Sequence, residues 1–446
     1  MTIYQSLKQK SLDLVALDLK TTTLRHPSTP KRDVVPDDRS QSQNKRDVAI
    51  AVKPVFKMFA LSTRHYLNRK RLVQDVDCKA IADGDGDEIE KATNLSYEKA
   101  REGYGVLDYL QMTSTCSDFI LNREYITSSL TDEEKDFPIA YSILMYKSVE
   151  QSERLLRTIY RPQNIYCIHV DAKTADAIFK AVKSITDCFD NVFVLEERLN
   201  VTWGTFSVLE PELQCMRRLM KSNKYWKYFI NLTGQEFPLR TNYELVKILK
   251  DYNGANDIKG NLKFNENIRY AETIPPPHGI VATKGDVHIV ASRGYVNFIL
   301  HDPRAQDLLE WVRNTTIPDE TFFSTLNYNR FLKVPGSYNG TLNVGNDTKI
   351  SQFHARYKLW RNGDRSDRFC SGTVVRSICV FGIGEVQYLA YAKELFANKF
   401  YLDYKHYAFD CMEELIYNRT RDEYLGILDF DSSWYSKLEY VTNKIG

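Results

Sequence analysis

From residue 137 to residue 232 short apolar runs alternate with amphipathic stretches, and this rhythm constrains the fold more than any other feature. Ile139 to Met145 (IAYSILM) is a continuous apolar run, as in a parallel strand buried on both faces. Val149 to Tyr160 has helical spacing through Leu155, Leu156 and Ile159 and stops before Pro162. Ile165 to Asp171 predicts a second strand, Ala175 to Ile185 a helix and Asn191 to Leu195 a third strand. Pro211 to Met220 predicts a helix and Tyr225 to Leu232 a strand, followed later by a strand at Val287 to Val290 and a helix at Gly294 to Leu300. Strands that alternate with helices predict an α/β domain with a parallel sheet. Ligands of such sheets bind beyond the carboxyl ends of the strands. Asp171 falls at such an end, where it either contacts a nucleoside or caps the next helix. Neither GxGxxG nor GxxxxGK[ST] occurs, which disfavours a dinucleotide oxidoreductase or a P-loop enzyme.

The 446 residues suffice for one large domain, or two ordinary ones, plus tails. A net charge of +2 carries no nucleic-acid footprint. The eight cysteines include no CxxC, and no histidine lies at zinc-like spacing, so neither metal binding nor thioredoxin chemistry is expected. Their even number fits four disulfides formed in an oxidising compartment. Seven N-x-S/T sequons, at Asn94, Asn200, Asn231, Asn314, Asn339, Asn346 and Asn418, lean the same way. Asn231 falls in a predicted core strand, which leaves the other six as glycosylation candidates. Residues 1–75 are basic and polar and read as a leader or stem, 76–425 as the folded part and 426–446 as a tail. Residues 1–20 lack a signal-peptide pattern, and the run from Val48 to Ser62 contains Lys53, Pro54 and Lys57. That run is shorter than the roughly 20 residues of a bilayer helix. The acidic stretch Asp83 to Glu88 lacks the glycine and glutamate of a calcium loop and reads as a solvated turn.

Three stretches hold candidate functional residues. In Thr316 to Leu326, Pro318 precedes Asp319 and Glu320 and then an apolar pattern of Phe322, Phe323 and Leu326. Proline and acids suit the first turn of a helix, so the two carboxylates are either a helix start or part of a site. Gly234 to Pro238 breaks the strand–helix rhythm and puts Glu236 in a loop, and residues 251–285 read as a long substrate loop. Cys370 and Cys379 flank a segment containing Gly372 and Arg376, and Lys399 follows at Phe396 to Phe400 (FANKF). A short disulfide-closed loop would hold Arg376 rigidly, and two cations on apolar surroundings suit an anion, the alternative being surface pairing. The acidic pair Asp429 and Asp431 reads as part of the solvated tail.

Several motifs in one order resemble the core 2/I-branching β-1,6-N-acetylglucosaminyltransferases, from about Cys78 to Cys411. They are Ile165 to Asp171 (IYCIHVD), Cys188 to Phe193 (CFDNVF), Trp226 to Leu232 (WKYFINL), Phe237 to Asn242 (FPLRTN), Pro318 to Glu320 (PDE), Cys370 to Gly372 (CSG), Arg376 to Gly382 (RSICVFG) and Phe396 to Phe400. The resemblance implies a Rossmann-like GT-A-type fold with a mixed, disulfide-braced sheet. It implies inverting transfer of GlcNAc from UDP-GlcNAc to mucin-type O-glycans on glycoproteins, with no metal cofactor, by a type II protein associated with the Golgi membrane and acting in the lumen. Glu320 matches the family's catalytic base, Arg376 and Lys399 its diphosphate-binding pair, Asp171 and Leu144 its uridine pocket, and Trp360 an acceptor-side tryptophan. The implied disulfides are Cys78–Cys411, Cys116–Cys188, Cys167–Cys215 and Cys370–Cys379. Lys259, in Asp257 to Gly260, stands where the family commonly has an acceptor-loop glutamate, and Lys263 and Arg269 are candidates for its basic acceptor residues. The rival readings are the same mechanism with UDP-glucose or UDP-xylose, an inactive glycan-binding relative, and a glycosidase built on Glu236 and Glu320.

Overall fold

The computed structural model describes residues 70–98, 101–261, 274–340, 353–361 and 369–446, with Asn68 and Arg269. The run at 48–62, most of the leader, Lys263 and Asn346 lie outside the described residues. All described residues fall in one contact unit, 57–446. Among them no helix is long and apolar enough to cross a membrane.

The acidic stretch at 83–88 is not all turn: it spans the end of helix α1 (Cys78–Asp83), a turn at Gly84 and Asp85, and the first turn of helix α2 (Gly86–Glu98). The predicted rhythm then follows: β1 (Ile139–Met145), α3 (Val149–Ile159), β2 (Ile165–Val170), α4 (Asp176–Thr186), β3 (Val192–Val194), α5 (Glu210–Met220) and β4 (Tyr228–Thr233). Ser148 starts α3 by accepting the Gln151 N–H at 3.1 Å. β1 pairs in parallel with β2 and β4, and β2 with β3. Every residue of β2 is buried, which explains why the run is apolar without alternation.

Past β4 the topology departs from an all-parallel sheet. Glu236 is not in a loop. It opens β5 (Glu236–Pro238), a short strand that precedes α6 (Asn242–Tyr252). β6 (Asp257–Asn261) and β7 (Lys284–Ser292) extend the main sheet to six strands in the order β3-β2-β1-β4-β7-β6, with β7 antiparallel to both neighbours. α7 (Arg293–His301), α8 (Pro303–Val312) and α9 (Asp319–Tyr328) follow. Phe322, Phe323 and Leu326 of α9 are in the core, as their pattern predicts. Gly285 of β7 permits this packing, because a Cβ there would lie 2.5 Å from Cβ of Ser324 on α9.

A second sheet joins distant chain segments. β8 (Arg356–Tyr357), the hairpin β9 (Thr373–Val375) and β10 (Ile378–Val380), and β11 (Phe396–Asn398) precede α10 (Tyr407–Tyr424). β11 lies between β5 and β8. Glu236 is the pin of this sheet: it is fully buried, accepts from Arg356 Nε and Asn398 Nδ2 at 2.9 Å each, and is held at a pKa of about 2. Burial alone would raise that pKa. The Arg356 and His288 charges and hydrogen bonds from His288 and Asn398 overcome it. Breaking such a pair leaves an uncompensated buried charge and costs about 3–5 kcal/mol.

The four disulfides are Cys78–Cys411, Cys116–Cys188, Cys167–Cys215 and Cys370–Cys379, and no cysteine is free. Cys78–Cys411 spans 333 positions and ties α1 to α10. In the chain-entropy account a loop that long is worth about 6 kcal/mol. Residues 426–446 are not a solvated tail. Tyr435, Leu438, Tyr440 and Val441 are buried in the core that contains β1 and β2, and the Ile445 N–H donates to the Ser337 carbonyl. Asp429 remains on the surface, its side chain 83% exposed and 2.9 Å from Lys247.

Candidate active site

A cavity of about 1270 Å³ opens at the carboxyl ends of β1 and β2. It is larger than most pockets for drug-sized ligands, so a nucleotide-sized ligand fits. Leu144, Asp171, Arg376 and Lys399 all line it, although they are as much as 255 positions apart in the chain. Leu144 is the one residue of β1 that is not fully buried. Asp171 follows β2, and its Oδ1 accepts the Lys173 N–H at 2.8 Å. It therefore caps its own turn at the cavity edge rather than α4, whose N-terminal residue Ala175 makes no side-chain cap.

Two devices position the cations. Arg376 and Ser377 form the two-residue turn between β9 and β10, with φ of +53° and +63°. Two positive φ angles suit the twist of a tight hairpin but are costly for residues with a Cβ. The Cys370–Cys379 bridge and the Arg361 N–H, which donates to the Ser377 carbonyl at 2.9 Å, hold this turn. Lys399 follows β11, beside the Asn398 that Glu236 grips, and is 7% exposed. Burial and the nearby charges of Arg376 and Lys358 lower its pKa. The cations thus set up a standing positive potential that a bound anion relieves.

Glu320 is not among the cavity-lining residues. It lies in the first turn of α9, with its side chain 25% exposed. Its Oε2 is 2.9 Å from Arg269 Nη2 and 3.5 Å from Lys284 Nζ. The two sub-sites meet through the backbone, where the Ile317 N–H donates to the Gly204 carbonyl at 2.9 Å and Gly204 follows the cavity-lining Trp203. Ile317 has φ of +55°, a strained setting for a β-branched residue immediately before Pro318. Asp319 is more than a helix-start acid. It is 7% exposed, its Oδ1 lacks a hydrogen-bond partner among the described residues, and burial together with the adjacent Glu320 raises its pKa to about 7.

The expected acceptor residues stand apart from the cavity lining. Trp360 is 42% exposed, forms a backbone bridge to Ile378, and has Lys358 Nζ 5.9 Å from its ring. Lys259 is on β6. Lys358 in turn binds Asp286 at 2.7 Å, on the strand that supplies Lys284. Glu236, the expected partner of Glu320 in a glycosidase, is sealed in its ion pairs and cannot exchange protons with a substrate. Asn231 is 2% exposed, donates to the Val287 carbonyl and accepts the Ile289 N–H, so its amide is part of the sheet. Asn418 exchanges two hydrogen bonds with the Lys70 backbone. Sequence reasoning missed Trp203, Lys284, Lys358 and Asp286. The alternation of Lys284, Asp286 and His288 within an otherwise apolar strand was the available signal for one polar face.

The family model described as "Branch: Core-2/I-Branching enzyme" matches residues 139–390. The β-1,3-galactosyl-O-glycosyl-glycoprotein β-1,6-N-acetylglucosaminyltransferase of Bos taurus is 38% identical over 365 residues, which covers 76% of this chain and 84% of that protein. The Homo sapiens enzyme of the same name is 36% identical over 389 residues, covering 81% and 89%. The Homo sapiens enzyme numbered 3 is 34% identical over 369 residues, covering 77% and 83%. The mixed, disulfide-braced α/β fold and these relatives define a glycosyltransferase. Within that class, the chain belongs to the core-2/I-branching enzyme family.

Proposed function

We propose that this chain is an inverting β-1,6-N-acetylglucosaminyltransferase that moves GlcNAc from UDP-GlcNAc to the galactose or GalNAc of mucin-type O-glycans. Its catalytic part, which includes the packed residues 426–446 as well as 76–425, acts in the Golgi lumen. One observation carries the reading: Arg376 and Lys399 share a cavity with Leu144 and Asp171, and the loop at its rim is bonded to the turn that leads into Glu320. The names of the relatives supply the sugar and the linkage.

In this reading Leu144 and Asp171 border the uridine, and Arg376 and Lys399 bind the diphosphate. Glu320 takes the proton of the acceptor hydroxyl as that oxygen attacks C1 from the face opposite UDP. Negative charge moves onto the diphosphate as the bond to C1 breaks. Fixed cations stabilise that charge more in the transition state than in the ground state, which supplies the role a metal ion would play. Trp360 and Lys259 contact the acceptor. Asn94, Asn200, Asn314, Asn339, Asn346 and Asn418 are the candidate glycosylation sites.

A donor screen tests this reading. UDP-GlcNAc, UDP-glucose, UDP-galactose and UDP-xylose are offered with Galβ1-3GalNAc, and the linkage of the product is determined. Transfer from UDP-GlcNAc in β-1,6 linkage is expected. Transfer from UDP-glucose or UDP-xylose alone would keep the fold and mechanism and reject the sugar.

A further inference from the structure

We infer that Trp203 is the platform on which the transferred pyranose of the donor stacks. The inference rests on the UDP-sugar reading above and adds to it the residue that binds the sugar ring.

The loop from Leu199 to Gly204 carries the argument, because its contacts change in order along its length. At its start the Leu199 N–H donates to Nε2 of His169 at 3.0 Å, and the Leu199 carbonyl accepts the Ala172 N–H. Burial lowers the His169 pKa to about 4, so the ring stays neutral and Nε2 stays an acceptor. Next, the Val201 carbonyl accepts from Lys173, beside Asp171. The ring of Trp203 then lies 5.9 Å from the Arg376 guanidinium carbon. The loop ends at Gly204, whose carbonyl binds the N–H of Ile317, three residues before Glu320.

The loop therefore runs from the strand-end acid, past Arg376 of the diphosphate pair, to the turn before the base. A UDP-sugar has the same order: nucleoside, diphosphate, then the sugar whose C1 is attacked. Trp203 occupies the third place. It lines the cavity and is 65% exposed, an unusual amount of bare indole to keep beside a functional cavity. One face of a pyranose presents C–H groups, which an indole covers at little entropic cost because its side chain has few rotatable bonds. The platform is also held in place. The Thr202 N–H donates to Ser207 Oγ at 2.8 Å, and the Thr202 carbonyl accepts from Thr205 Oγ1 at 2.9 Å. Gly204 turns the chain at φ of +82°, a conformation that suits glycine.

The test compares Trp203→Ala and Trp203→Phe with the parent protein, using calorimetric titration with UDP and with UDP-GlcNAc. Because the side chain is exposed, both variants should keep the parent melting temperature. Trp203→Ala is expected to weaken UDP-GlcNAc by about tenfold or more and UDP by less than about threefold, with Trp203→Phe in between. Equal losses for both probes would assign Trp203 to the nucleotide or to Arg376, and no loss for either would leave it without a role. Either result overturns the inference while the donor reading stands. A parent protein that binds neither probe would defeat the donor reading itself.

Discussion

Glu320→Gln is expected to lower kcat about 10²- to 10⁴-fold while UDP binding changes by less than about threefold. Glutamine keeps the size of the side chain but loses the ability to take a proton and the charge that faces Arg269 and Lys284. The rest of α9 is anchored independently of residue 320, by Phe322, Phe323 and Leu326 in the core and by the close fit of Ser324 on Gly285. Glu320 also stands outside the lining of the cavity that contains Arg376 and Lys399. Single-turnover transfer and calorimetric titration with UDP separate the two effects. A mutant with the parent's kcat would remove Glu320 from the role of base. Loss of both readouts would mean that the side chain shapes the donor site, through Arg269, Lys284 or the strained turn at Ile317.

The paired replacement Arg376→Gln with Lys399→Met is expected to behave differently, with UDP affinity and kcat falling together. Removing one preorganised donor to a developing anion costs about 10²- to 10³-fold in kcat, and two that act on one diphosphate should not add independently. Methionine is chosen at 399 because that side chain is 7% exposed and an alanine would leave a hole. The lowered pKa of Lys399 has a further consequence. An anion beside Lys399 raises that pKa again, so UDP binding takes up a proton at high pH, and affinity weakens there sooner than for an ordinary lysine. The Lys399→Met protein should lose this dependence. Unchanged UDP affinity in the paired mutant would contradict the assignment of the cavity as the diphosphate site.

The sequence made the first half of the sheet legible because β1, β2 and β4 are buried on both faces and read as largely apolar runs without alternation. It also exposed the start of α9, where proline, two acids and an apolar pattern coincide. What it hid depends on partners far away in the chain. Glu236 opens a three-residue strand whose sheet partner β11, and the β8 beyond it that supplies Arg356, come more than 100 positions later, and no local periodicity marks so short an element. Residues 426–446 lie beyond the stretch that resembles the family and contain no long apolar run, yet Tyr435, Leu438, Tyr440 and Val441 enter the core. Within the site, Leu144, Asp171, Arg376 and Lys399 do converge on one cavity, while Glu320 approaches it only through Gly204 and Ile317. Trp203 gave no signal, because a single aromatic residue in a turn-rich segment acquires meaning only when Arg376 and the turn before Glu320 fold beside it.

The central claim is that two fixed cations, rather than a metal ion, carry the leaving diphosphate while Glu320 directs attack on C1. Transfer from UDP-GlcNAc to Galβ1-3GalNAc in excess EDTA tests it most directly, with the anomeric configuration of the product read by NMR. The account predicts an undiminished rate and a β-linked product. Activity that vanishes in EDTA and returns with Mn²⁺, or an α-linked product, would contradict it.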